Sequence, residues 1–436
     1  MRNLIISLIR SSKKDYYAFY FEQHKSNVKK TWEGIRNIVK VCKKRYSSPT
    51  QLFYNNKVHK SNKDMANAIN DFYVNIGNVM EEKDPKVETD FSAYLHQPNE
   101  KSIFLSPVTI DETTYLISQI KLSKACGPNS IPNNILRSNM HILADPVTIL
   151  LNKSISEGTF PDLLKLANVC PIYKKNDKTK CENYRPISLL SNLSKIFERM
   201  MHTRIYDFLE KCDVIYKLQF GFRKKYSTNH SLLSIVESIR DNLDNKTFSC
   251  GVFVDLEKAF DTVNHTILLK KLAHYGIRGK SNEWFASYFS GRQQKVSLKG
   301  VTSEYSDISC GVPQGSILGP LLFILYINDM HCAIKNSLVH HFADDTNLLC
   351  SHKDPQMLRK MMNNDLRSLF TWLCANRLSL NVSKTEFIIF KPPRIQLRER
   401  ITLKLNGTTL YESQKIKYLA QIMDDGFICQ INLFVK

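Results

Sequence analysis

Two adjacent acids, Asp344 and Asp345, stand between His341-Phe342-Ala343 and a second apolar run, Leu348-Leu349-Cys350, a pattern of strand, acidic turn and strand. A third acid, Asp255, closes the apolar run Val252-Phe253-Val254. One carboxylate at a strand end and two at a hairpin tip could hold two divalent cations side by side, an arrangement that aligns attacking and leaving oxygens around a phosphorus. Asp is also a common turn residue for local hydrogen-bonding reasons, so the dipeptide alone reads first as an ordinary turn. What favours a metal is that each acid ends a hydrophobic strand, where unpaired charge is costly. Mg²⁺ suits a few carboxylates completed by substrate phosphates. Between the acidic points lies Gly311-Val312-Pro313-Gln314-Gly315-Ser316, a loop that opens a long apolar stretch. Together these features describe a nucleotide-polymerising site.

A triphosphate would need cations of its own. Lys174 and Lys175 follow a strand expected over Val169 to Tyr173, and Arg185 lies in Asn183-Tyr184-Arg185-Pro186-Ile187-Ser188. A guanidinium grips phosphate by two prongs. Without the acids, each reads first as a residue of an ordinary basic surface turn. By pattern, Phe260, Val263, Ile267, Leu268 and Leu272 form the core stripe of a helix directly after Asp255.

Around these residues the chain alternates helical and strand-like patterns from about Ser106, the mark of a mixed α/β or α+β domain. Helices are expected over Ile110 to Ile120 and Ile142 to Ile155, and Ile196, Phe197, Met200, Met201, Ile205, Phe208 and Leu209 recur at helical spacing as core. Residues 1 to 60 carry 14 Lys/Arg against 3 Asp/Glu, interleaved with Tyr16, Tyr17, Phe19, Tyr20, Phe21 and Trp32. That segment reads either as an amphipathic helix pair with a solvated basic face or as a nucleic-acid-binding extension. Glu81 to Asp90 reads as a linker.

Over 436 residues, 61 Lys+Arg against 41 Asp+Glu give a net charge of +20, which favours a polyanionic partner. The longest apolar runs fall far short of a bilayer span, and Arg10 cuts the apolar start before any cleavage site, so neither a membrane protein nor a secreted one is expected. Eleven cysteines without a Cys-x-x-Cys pair argue against a disulfide framework or a zinc module.

The ordered set of Asn183-Tyr184-Arg185-Pro186-Ile187-Ser188, Phe253-Val254-Asp255-Leu256-Glu257-Lys258-Ala259-Phe260-Asp261, Gly311-Val312-Pro313-Gln314-Gly315-Ser316-Ile317-Leu318-Gly319-Pro320 and Phe342-Ala343-Asp344-Asp345 strongly resembles the reverse transcriptases of non-LTR (LINE-type) retrotransposons, closest to the jockey-like group. The resemblance runs from about residue 106 to 425 and more weakly through the basic start. It implies an α+β right-hand polymerase fold, with fingers over about 101–248 and an antiparallel-sheet palm over about 249–425, after an extension and linker over 1–100. By the same resemblance Asp255, Asp344 and Asp345 are the catalytic acids and metal ligands, with the Leu256 carbonyl as a further ligand for Mg²⁺ or Mn²⁺. Lys174 and Arg185 hold the triphosphate, Phe260 excludes a ribose 2′ hydroxyl, and Gln314 and Gly315 touch the incoming nucleotide. Lys384, in Leu380-Asn381-Val382-Ser383-Lys384-Thr385, assists pyrophosphate. Arg223 and Lys224 in Gly221-Phe222-Arg223-Lys224-Lys225-Tyr226-Ser227-Thr228, together with Gln314 and Ser316, meet template and primer.

The expected activity is RNA-directed DNA polymerisation, with an RNA template, a DNA primer or target and deoxynucleoside triphosphates as partners. The expected setting is the nucleus or a cytoplasmic ribonucleoprotein. Departures from the pattern occur at Gly127-Pro128-Asn129-Ser130, at Lys175-Asn176-Asp177 and at Lys417-Tyr418-Leu419-Ala420-Gln421, where the family usually has glycine in place of Ala420. With no sequence resembling a thumb after Asp425, the chain is expected to be a truncated member with the thumb largely missing. An inactive remnant that only binds nucleic acid is the alternative. An RNA-dependent RNA polymerase would need a polar group to accept the ribose hydroxyl, and Phe260 offers none.

Overall fold

A strand that is apolar along nearly its whole length belongs in the middle of a covered sheet, and Phe248–Val254, with Ser249 its one polar residue, takes that place. In the computed structural model, which describes residues 2–39, 49–83, 85, 87–122, 127–128, 131–392, 395, 400–419 and 421–424, this strand is third of five. The order is Leu338–Phe342, Asp345–His352, Phe248–Val254, Glu386–Phe390 and Tyr411–Glu412, antiparallel except for the last pair. Side chains alternate between the faces. Cys250, Val252, Leu348, Cys350, Phe387 and Ile389 join the main core, with Leu358, Met362, Leu366 and Leu369 of the helix Pro355–Ala375. Leu349, Ile388 and Phe390 meet Leu232, Ile235 and Ile239 of the helix Thr228–Asp244 on the other face.

The helix Leu318–Tyr326 is apolar all round and correspondingly buried, except for a half-buried Pro320 in its first turn. Each of its fully buried Leu, Ile and Phe side chains contributes about 1.5–3 kcal/mol relative to exposure. It lies with the helices Asn192–Lys211 and His265–His274 in the main core.

A second sheet carries the basic residues. Its order is Tyr184–Leu190, Leu166–Tyr173, Gln293–Leu298 and Val301–Thr302, with Ser306–Asp307 on the flank of Gln293–Leu298. Met65, Ala66, Ile69 and Tyr73 of the helix Asn62–Lys83 pack on Val169, Tyr184, Val296 and Leu298 of this sheet. Residues 49–100, expected to belong to the extension and linker, therefore fold as one unit with the residues after them, and the chain divides into compact units between Ser48 and Pro49. The start of the expected Glu81 to Asp90 linker is helical through Lys83.

The first unit is a helical pair, Arg2–Gln23 and Val28–Val39. Tyr17, Tyr20 and Phe21 are half-buried within it, whereas Tyr16, Phe19 and Trp32 are exposed. Both readings of this segment thus keep a physical basis. The expected helices of the second unit appear as Ile110–Ser118 and Met140–Glu157. Among the described residues no helix is long and apolar enough to cross a membrane. Asn129, Ser130, Ala420 and residues 425–436, where the start of a truncated thumb is expected, lie outside the described residues.

Candidate active site

The ladder that pairs Thr346 with Val254 sets the Ala343-Asp344 turn at the same end of the sheet as Asp255. Phe342 pairs with Asp345, leaving a two-residue turn in which Ala343 takes a left-handed φ of 58°. On the other side of the central strand, the Asn381 amide donates to the Asp255 carbonyl at 2.9 Å and the Asp255 amide to Thr385 Oγ1 at 3.4 Å. This holds Lys384 where its ammonium lies 3.5 Å from Asp255 Oδ2. Leu256 follows in a short strand paired with Leu380.

The acids press on one another. Asp344 and Asp345 reach solvent, but protein atoms crowd them on the sheet side. That desolvation, followed by the charges of Asp344 and Asp255, pushes the Asp345 carboxyl up to about 6. Asp344 is raised as well, by desolvation first and then by Asp255, against the opposing pull of Arg185 and Lys174. Lys174 is lowered by desolvation and by Arg185, Lys384 and Lys175, while Asp255 pulls the other way. Lys174, Arg185 and Lys384 therefore share one electrostatic neighbourhood with the acids. Three carboxylates and a nearby carbonyl are hard oxygen donors that suit Mg²⁺. An Mg²⁺ ion completes such a set with waters and substrate oxygens.

The Gly311–Ser316 loop ties the two sheets together. Val312 N donates to Phe260 O at 2.8 Å and Gly311 N to Val263 O at 2.8 Å, next to the Asp255 turn. Gln314 Nε2 donates to Asp261 at 2.7 Å, while Gln314 O accepts from Ser188 N, in the Arg185 strand, at 2.8 Å. Gly315 has φ +124°, and a Cβ there would stand 2.6 Å from Ser188 O, so only glycine allows this approach. Phe260 is half-buried, stacked on Phe323 at 4.3 Å with its edge toward Phe222 at 6.2 Å.

A family model described as reverse transcriptase (RNA-dependent DNA polymerase) matches residues 172–423. The chain belongs to the reverse transcriptase family. Its type is that of non-LTR retrotransposons. It is 30% identical to the RNA-directed DNA polymerase from mobile element jockey of Drosophila melanogaster over 339 residues, 76% of this chain and 37% of the relative. It is 29% identical to the jockey protein of Drosophila funebris over 342 residues, 76% of this chain and 36% of the relative. Identity to the probable RNA-directed DNA polymerase from transposon BS of Drosophila melanogaster is 28% over 346 residues, 76% of this chain and 37% of the relative. The chain spans little more than a third of the length of these relatives.

Several residues of this reverse transcriptase stand apart from their expected places. Arg223, expected on the template, is turned inward: its Nε and Nη2 meet the two Glu210 oxygens at 3.0 Å each, and its guanidinium lies over Tyr226. Lys224 stays exposed, 3.3 Å from Asp207. Ser316 is buried, its hydroxyl donating to Pro313 O and accepting from Gly319 N, so it shapes the start of the Leu318–Tyr326 helix. Phe260 sits in a turn, because the helix begins only at His265, where Asn264 Oδ1 caps Ile267 N at 3.0 Å.

Positioning residues without a local sequence signal include Gln219, 2% exposed, whose Oε1 accepts from Gly221 N at 2.8 Å and Ala343 N at 3.1 Å. Glu198 is another, a buried carboxylate that accepts from Ile317 N, Leu318 N and Tyr288 Oη. Sequence reasoning missed both.

Proposed function

We propose that this chain is the polymerase part of a non-LTR retrotransposon enzyme, an RNA-directed DNA polymerase that extends a DNA primer on an RNA template. The observation that carries the reading is the gathering of Asp255, Asp344 and Asp345 at one sheet end beside Lys174, Arg185 and Lys384.

In this reading the Phe248–Val254 sheet is the palm of a right-hand polymerase, within a palm of about 249–425, and the basic sheet belongs to the fingers, about 101–248. Asp255, Asp344, Asp345 and the Leu256 carbonyl would hold Mg²⁺ or Mn²⁺. Two such ions, when bound, activate the primer 3′ hydroxyl and stabilise the departing pyrophosphate. Lys174 and Arg185 neutralise the triphosphate, and Lys384 stands by Asp255 to meet charge that develops on the leaving group. The Phe260 ring, fixed by Phe323, fills the space where a ribose 2′ hydroxyl would lie. Gln314 and Gly315 offer backbone and amide to the base pair. Lys224 keeps a solvent-facing ammonium for a template phosphate, and the nucleus or a cytoplasmic ribonucleoprotein is the expected setting.

The test is Mg²⁺-dependent extension of a DNA primer on an RNA template by the purified chain, beside an Asp344→Ala/Asp345→Ala double variant. Extension by the first and none by the second supports the reading. No extension by a folded, template-binding chain sinks it in favour of a binding-only remnant.

A further inference from the structure

Outside the acid cluster, His96, His331 and Cys332 bring their ligand atoms within 4.8 Å of one another, the only such group of three among the described residues. His331 and Cys332 belong to the short turn Met330–Ala333, and His96 follows the turn Phe91–Tyr94. Distant segments thus supply two imidazoles and a thiol to one spot. We propose that these three side chains bind one divalent transition-metal ion of the zinc class, with the fourth position left to water.

Geometry at His331 carries the proposal. Its Nδ1 lies 2.8 Å from the Asn328 carbonyl, which can only accept, so Nδ1 bears the proton and Nε2 presents a lone pair. A backbone carbonyl on the far ring nitrogen is the usual outer support of a metal-bound histidine. Nε2 lies 3.5 Å from Cys332 Sγ. A tetrahedral ion with Zn–N near 2.0 Å and Zn–S near 2.3 Å sets those two atoms about 3.5 Å apart.

The ring is also held in plane. Tyr216 stacks on it at 3.9 Å and 10°. Tyr216 is itself fixed by its amide, which donates to Asn328 Oδ1 at 2.8 Å, while Asn328 Nδ2 donates to Val214 O at 2.8 Å. His96 is exposed, so its ring is free to close the remaining distance. The donor set of two nitrogens and one sulfur is softer than the acid cluster and selects against Mg²⁺. A bound ion would tie the chain ahead of the fingers to the turn that leads into the Leu338–Phe342 strand, the root of the acidic hairpin. Without an ion, the Cys332–His331 pair would be no more than a weak S–H···N contact.

The deciding experiment is anaerobic titration of the full-length, chelator-stripped chain with Co²⁺, read by absorption. One equivalent should bind with a near-ultraviolet thiolate-to-cobalt band that equimolar Zn²⁺ displaces and millimolar Mg²⁺ does not. Cys332→Ser should abolish the band, and His96→Gln, a surface change, should weaken Co²⁺ binding at least about tenfold. Cys212→Ser and Asp344→Ala/Asp345→Ala should leave it intact. Absence of a band at one equivalent, a band that survives Cys332→Ser, or unchanged affinity in a folded His96→Gln chain would overturn the proposal.

Discussion

Gly221 is where the position of the acids can be disturbed without touching them. The segment Leu218 to Gly221 lies along the hairpin through Phe220 N to His341 O at 2.8 Å, His341 N to Leu218 O at 2.9 Å, and the two bonds to Gln219 Oε1. A Cβ added at Gly221 would stand 2.2 Å from Ala343 N, 2.9 Å from Phe342 C and 3.0 Å from Ala343 Cα, all backbone of the acidic turn. Restoring ordinary contact at about 3.4 Å requires the turn to withdraw by about 1 Å. A misplacement of that size costs about 100-fold in rate, or about 2.7 kcal/mol of barrier. Gly221→Ala should therefore slow single-nucleotide extension on an RNA template about 100-fold, with template affinity held within about threefold. Each hairpin bond that loosens costs about 1 kcal/mol of stability. Gly300→Ala serves as the control, since its φ of +80° strains the backbone but its Cβ meets nothing within 4 Å. Extension by Gly221→Ala within about threefold of the parent, at unchanged melting temperature, would refute the idea that this contact sets the acids.

Phe260→Val should raise ribonucleotide incorporation about tenfold or more relative to deoxynucleotides, and an unchanged ratio in competition assays would remove the ring from sugar selection. Lys271 is fully buried against Asp329, whose other oxygen takes the Trp372 indole N–H at 3.1 Å. Lys271→Met should cost about 3–5 kcal/mol in denaturant unfolding, because it strands the Asp329 charge; a loss below about 1 kcal/mol would count against that pairing. With Asp345 held up to about 6, a proton competes with the cation, so extension at limiting Mg²⁺ should fall about tenfold per unit below pH 6 and recover with added Mg²⁺. Stability runs the other way in chelator: a carboxyl whose folded pKa is raised loses stability as pH climbs from its ordinary value near 4 to about 6, so Asp345→Asn should melt higher than the parent at pH 8, keep part of that advantage at pH 5 and lose it below about pH 4.

Strand boundaries are legible because an acid beside an apolar run is a local pattern: Asp255 closes such a run, and Asp344-Asp345 stand between two strands. The boundary after Asp255 is harder to read because Phe260 and Val263 fit a helical stripe, while the deciding signal is Asn264 as a cap. Arg223 looks like surface because it stands in a basic run, and its partner Glu210 lies at the end of the preceding helix, Asn192–Lys211. Gln219 has no signature at all, since its acceptor role exists only once residues 124 positions apart meet. The metal-ligating trio is invisible for the same reason. Local periodicity reports which residues share a face; it carries no information about which faces meet.

A sheet covered on both faces leaves charge to its strand ends, and there the acids crowd one another beside Lys384, which stands just ahead of the Glu386–Phe390 strand. The other counter-charges, Lys174 and Arg185, come from a different sheet, so no strand register fixes their distance from the acids. That distance is set by the Gly311–Ser316 loop, bonded at one end to Phe260 and Val263 and at the other to Ser188, three positions beyond Arg185. Glu198 holds the start of the Leu318–Tyr326 helix in place from within the core, so the loop is anchored at its far side too. The glycine that permits the loop to lie against Ser188 therefore bears on the spacing between triphosphate cations and acids as directly as the charged residues do.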